Sequence, residues 1–167
     1  MFRRTTQPKL MNRRIHGVLL AVGVIAGCSG ITPYPDTLPK NLHIRTETSS
    51  GSMFSKVRAA VHIHRVDAGC LTEYQGTVEL NEPTAEIGLP TERLSLMAFV
   101  FSSSSFLAGS SGSIRYETLL RPRAGYTYDV KVSYVDRMYN VAIREIDPRK
   151  SSSREIERKS LKTCSGF

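Results

Sequence analysis

Tyr126 to Ile143, YTYDVKVSYVDRMYNVAI, repeats with a period of two: Tyr126, Tyr128, Val130, Val132 and Tyr134 fall on one side, with Asp129, Lys131 and Ser133 on the other. After Asp136-Arg137 the pattern resumes at Tyr139, Val141 and Ile143. Successive side chains of a strand point to opposite faces, so the stretch reads as a β-hairpin around a short turn. The same alternation recurs upstream. Leu42, Ile44 and Thr46 alternate with His43, Arg45 and Glu47, while Val57, Ala59, Val61 and Ile63 alternate with Arg58, Ala60, His62 and His64. Tyr74, Gly76, Val78 and Leu80 continue the series, as do Ile114, Tyr116, Thr118 and Leu120. LSLMAFVF, Leu94 to Phe101, is apolar on both faces and predicts a central strand.

No amphipathic helix of crossover length separates these segments, which argues against a parallel sheet. The fold class is therefore all-β: an antiparallel β-sandwich of about seven strands over residues 42–147, Ig-like or transthyretin-like. The tail, residues 148–167, is open between two forms. Ser152-Ser153-Arg154-Glu155 fits a capping box, but Ile156 and Leu161 make a poor apolar face, so a short helix and an edge strand are equally compatible.

Upstream of the strands lies GVLLAVGVIAGCSG, Gly17 to Gly30. Its apolar run, Gly17 to Gly27, is eleven residues long, about half of what a membrane-spanning helix needs. Arg3, Arg4, Lys9, Arg13, Arg14 and His16 precede it and no acidic residue occurs before Asp36, the layout of an export signal's basic and apolar regions. Its last four residues, Ile25-Ala26-Gly27-Cys28, resemble the lipobox of bacterial lipoproteins: an aliphatic residue, two small ones and the cysteine. The resemblance implies a signal peptide over residues 1–27 and lipidation at Cys28. Met11 by itself opens a compact signal, so translation from Met11 would suffice. Ser29, in place of the aspartate that favours inner-membrane retention, implies the outer membrane of a Gram-negative bacterium, with the domain facing the periplasm. Multiple acyl chains hold stably where one does not.

Several expectations follow from that resemblance. Residues 28–41, with prolines at 33, 35 and 39, read as an extended tether that stands the domain off the bilayer. Five of the 23 basic residues and none of the 15 acidic ones precede Cys28, so the 140 residues from Cys28 onward carry 18 basic against 15 acidic, a net charge of +3 rather than +8. That balance, without a basic run interleaved with aromatics, points away from nucleic acid. Lipidation of Cys28 leaves Cys70 and Cys164, which predicts a disulfide in an oxidising compartment that would fasten the tail; two free thiols are the alternative.

Chemistry is sparse. His62 and His64, two apart on a strand, point the same way and would present two imidazoles to zinc or copper, with His43 on a neighbouring strand as a third ligand. Histidines on a solvent face opposite Val61 and Ile63 are the simpler reading, and no metal or cofactor is assigned. The serines at 102–105, 110, 111 and 113 lack the G-x-S-x-G spacing of a nucleophile elbow; SSSSFLAGSSGS reads as a flexible loop carrying Phe106 and Leu107. Asp129, Asp136, Glu145 and Asp147 read as ordinary solvated carboxylates. The tyrosines at 116, 126, 128, 134 and 139 suit core or cross-strand pairs better than a sugar platform.

No nucleophile, base and orienter assemble, so no catalytic residue is assigned and no enzyme is expected. The expected function is a non-catalytic, membrane-anchored envelope lipoprotein. Its sandwich would contact another envelope protein as an accessory of a secretion or assembly system. The alternative is a periplasmic metal- or glycan-binding module. Leu119 to Asp147 is similar to the terminal hairpin of many small β-rich lipoproteins, a likeness that supports the sandwich and not an activity.

Overall fold

The computed structural model describes residues 30–48, 55–105, 111–135, 138–150 and 152–167. These contain nine strands: β1 (Leu42–Thr48), β2 (Ser55–Val66), β3 (Thr72–Glu79), β4 (Thr84–Ile87), β5 (Ser95–Ser105), β6 (Ser111–Leu120), β7 (Thr127–Val135), β8 (Met138–Asp147) and β9 (Ser152–Glu155), followed by a 3-10 helix, Leu161–Gly166. Two sheets, in the orders β4-β1-β7-β8-β9 and β3-β2-β5-β6, pack into an all-β sandwich. Its core takes the inward residues that the alternation marks: Leu42, Ile44, Val130, Val132, Val141 and Ile143 from one sheet, and Val61, Ile63, Met97, Phe99 and Phe101 from the other.

Two features depart from the expected sandwich. The two extra strands, β4 and β9, are four residues each, too short for a period of two to register. The sandwich is mixed, because β1 runs parallel to β7 from Leu42↔Tyr128 to Thr48↔Tyr134. Chain crossings between sheets, rather than a crossover helix, bring those strands side by side. The strand order also separates the two expected forms. An Ig sandwich groups its first, second, fifth and fourth strands in one sheet, whereas here the first and fourth join the seventh and eighth, leaving the transthyretin-like arrangement with β9 added at an edge.

β5 is central, between β2 and β6, and its two apolar faces have separate covers. Met97, Phe99 and Phe101 enter the core, while Leu96 joins Val66, Leu94, Leu119 and Cys164 in a second cluster beneath the C-terminal segment. The tail takes both of the forms left open. Ser152–Glu155 is edge strand β9, not a capping box, and the helix forms later. A Cys70–Cys164 disulfide, with Cα atoms 5.9 Å apart, fastens it to the turn before β3. The serines at 102–105 and at 111 and 113 belong to strands, because the β5–β6 ladder runs out to Ser104↔Ser111; backbone pairing does not require apolar side chains. Phe106, Leu107, Ser110, the Asp136-Arg137 turn, and the signal segment with Cys28 lie outside the described residues.

The proline-rich segment is no free-standing tether. Pro33 bridges Thr77 in parallel, the Thr77 amide donates to the Thr32 carbonyl (2.8 Å), and the Tyr34 amide donates to the Thr77 carbonyl (3.0 Å). The Tyr34 hydroxyl then reaches the Gly88 carbonyl (3.0 Å), and Asn41 clips Leu89 through both its side-chain groups. The strap passes so close that a Cβ on Gly76 would meet the Tyr34 backbone at 2.5 Å, and one on Gly88 would meet Leu38 at 2.5 Å. Glycine is required at both places by close approach. Proline stiffness favours extended chain, and here the extended chain finds an edge to pair with.

Candidate functional site

The outer face of the β3-β2-β5-β6 sheet carries the histidines. Ladder pairing sets its rows: Tyr74, His64, Leu96 and Leu119; then Thr77, His62, Ala98 and Glu117; then Glu79, Ala60, Val100 and Arg115. A bulge between Ile63 and His64 leaves Gln75 unpaired and shifts Tyr74 to the outer face, so Tyr74 does not continue the inward series of Gly76 and Val78. One extra residue reverses which face the rest of a strand presents.

A small residue, Ala98, lies between the His62 imidazole on one side and Glu117, ion-paired with Arg115, on the other, while Ala60 follows the imidazoles along β2. His62 Nδ1 is 2.5 Å from Thr77 Oγ1, which is 2.6 Å from the Tyr74 hydroxyl. That hydroxyl also donates to the Thr32 carbonyl at 3.3 Å, so the network ends on the strap. His64 packs against the Tyr74 ring, centroids 5.4 Å apart. Burial lowers the affinity of both imidazoles for a proton, and the Arg115 guanidinium lowers it further; at His64 the Glu117 carboxylate partly opposes the effect. Both rings are half-buried and neutral at pH 7.

His43 is not a third ligand. β1 belongs to the other sheet, and His43 sits on that sheet's outward side, paired with Glu86 at 3.0 Å. Among the described residues no three of His, Cys, Asp and Glu are gathered to hold a metal. Zinc in modest excess over protein is expected to leave the melting temperature unchanged. A rise that disappears on changing His62 and His64 to alanine would identify a site there, since a ligand stabilises the native state only through preferential binding. The Thr77–His62 contact is a hydroxyl–imidazole pair of the type used in nucleophilic catalysis. Thr77 is buried, however, its hydroxyl is shared with Tyr74, and no carboxylate bonded to His62 occurs among the described residues.

The other candidates disperse. Tyr128 is fully buried, Tyr116 meets Phe99 edge-on beneath Arg158, and Tyr139 stacks between Tyr134 and Phe101. These are core and cross-strand pairs, not a platform. Asp129 pairs with Arg45 on the surface, but Glu145 and Asp147 are buried, contrary to the solvated reading. The Tyr128 hydroxyl donates to Glu145 Oε2 (2.8 Å), and Arg154 (2.8 Å) and Arg123 (3.2 Å) donate to Oε1. Burial would raise the Glu145 carboxyl, yet these donors outweigh it and hold it below the usual carboxylate range. Burial, reinforced by Glu145, pushes Tyr128 up to about 12. The signal was available: Glu145 and Asp147 are in phase with Val141 and Ile143, and so point inward.

No family model, curated protein or solved structure matches the chain. Besides the imidazole face there is an open cleft of about 490 Å³ beside the disulfide, lined by Arg65, Arg93 and Arg121 with Asp67 and Glu92. It gathers no reactive group.

Proposed function

We propose that this chain is a lipid-anchored lipoprotein of the Gram-negative cell envelope, held at the outer membrane through Cys28. Its sandwich faces the periplasm and serves as a non-catalytic contact module for another envelope protein, as an accessory of a secretion or assembly system. The observation that carries the reading is the division of the cysteines. Cys70 and Cys164 are joined, a pairing that persists in oxidising compartments, and the cysteine left over is the one that ends the lipobox-like tetrapeptide Ile25–Cys28. The non-catalytic part rests on chemistry: the network around His62 is spent on holding the strap, and that around Glu145 on closing the core.

Intact-mass spectrometry of the protein extracted from membranes is expected to give a chain beginning at a diacylated Cys28. A soluble product starting elsewhere would refute the anchor. The Cys28→Ser variant is expected to accumulate as unprocessed precursor while still folding. Crosslinking in native membranes, followed by capture of the lipidated protein, identifies the partner.

A further inference from the structure

We infer that the edge formed by the strap and β3 is the surface that rests on the bilayer. The inference depends on lipidation at Cys28 and adds to it an orientation. A tether of a dozen residues would let the domain turn freely, but the strap removes that slack. Thr32 is fixed to β3 by the bonds from Thr77 and Tyr74, and it stands only four positions after Cys28. Four residues span at most about 14 Å. That reach would tie an acylated Cys28, and with it the bilayer, to the neighbourhood of Thr32 and the β3 edge.

The side chains at this edge suit that neighbour. Six large apolar side chains are exposed among the described residues: Ile31 (46%) next to Thr32, Tyr74 (42%) bonded to it, and Leu71 (71%) just before β3 belong to this edge, whereas Leu38 lies farther along the strap against Gly88. Scattered apolar residues need no explanation, but a concentration at the one edge nearest the anchor does. Tyrosine with a bonded hydroxyl and an exposed ring is a residue type that membrane interfaces favour. Arg65 is paired with Glu73 beside the edge, and Glu79 farther along β3 is exposed, so the edge offers no cationic surplus to anionic headgroups, and apolar contact orients the domain.

The test uses the full, natively lipidated chain with a polarity-sensitive fluorophore on Gln75→Cys, at the unpaired bulge of β3, and separately on Met138→Cys, on the opposite sheet. Each is reconstituted in vesicles of phosphatidylethanolamine with a minor share of phosphatidylglycerol. The label at 75 is expected to shift to shorter wavelength and to be quenched several-fold more by headgroup-proximal nitroxide lipid than the label at 138. The same contrast from Glu73→Cys guards against a local effect of the bulge. Equal quenching at the two positions, or a blue shift at 75 that nitroxide lipid does not quench, as when a protein covers the edge, overturns the inference. Mass spectrometry of the same preparation separates the two claims: a chain without acyl groups overturns both, and an acylated chain without the contrast overturns the orientation alone.

Discussion

Replacement of Tyr128 by alanine is expected to destabilise the domain by about 3–5 kcal/mol in urea unfolding at pH 7, the range for deleting a buried aromatic side chain. Tyr128 is among the largest fully buried side chains, and its hydroxyl is at the centre of a polar closure of the core. It donates to Glu145 and accepts from the Arg123 amide at 2.9 Å. Tyr128→Phe separates the two contributions. It keeps the ring and strands the Glu145 carboxylate and the Arg123 amide without a shared partner, a loss of about 1–3 kcal/mol. A Tyr128→Phe variant as stable as the parent would show that the hydroxyl contributes only what water would.

The pH dependence of that difference has a definite sign. The folded Glu145 carboxyl is held below its ordinary value of 4.5, so its contribution is present above about 4.5 and is lost as pH falls through the lower folded value. Loss of the Tyr128 hydroxyl bond moves the folded value upward. The gap between parent and Tyr128→Phe is therefore expected to be widest near neutrality and to close in acid. At the alkaline end Tyr128 titrates near 12 instead of 10. The parent thus loses stability as pH rises from 10 towards 12, and the phenylalanine variant lacks that step.

What the sequence made legible is local. A period of two marked Leu42, Ile44, Val61, Ile63, Val130 and Val132 as inward, and all six are in the core. The same rule, carried on from Ile143 to the end of β8, would have placed Glu145 and Asp147 inside; their charge overrode the phase. What stayed hidden is non-local. Nothing around His43 tells that β1 pairs with β4 and β7 instead of β2, which depends on crossings between sheets. The bulge at Gln75 adjoins Gly76, a residue that marks bulges and close approaches alike, but alternation alone read Tyr74 as an inward residue. The strap escaped for a different reason: proline-rich chain is extended whether free or docked, and only the tight approach to Gly76 and Gly88 distinguishes the two.

Opening the Cys70–Cys164 bridge is expected to have the other large effect. The two cysteines are 94 residues apart, and for a loop of that size the chain-entropy model gives about 4–5 kcal/mol, while loss of native disulfides in small secreted domains costs about 2–5 kcal/mol. The local consequence follows from what the helix covers. Leu96, Leu119, Val66 and Leu94 are buried with Cys164 against them and Leu161 and Phe167 beside it, so a released tail exposes one end of the outer sheet face. Backbone bonds such as that from the Leu119 amide to the Lys159 carbonyl (2.8 Å) still hold the tail's first residues. Cys70→Ser and Cys164→Ser are expected to lose similar amounts if the bridge acts mainly on the unfolded chain. A larger loss in Cys164→Ser would locate the effect in the folded state, because Cys164 is the buried partner and a serine there puts a hydroxyl among leucines. Non-reducing peptide mapping of the parent should recover one fragment joining the two cysteines, and two alkylated thiols would refute the bridge.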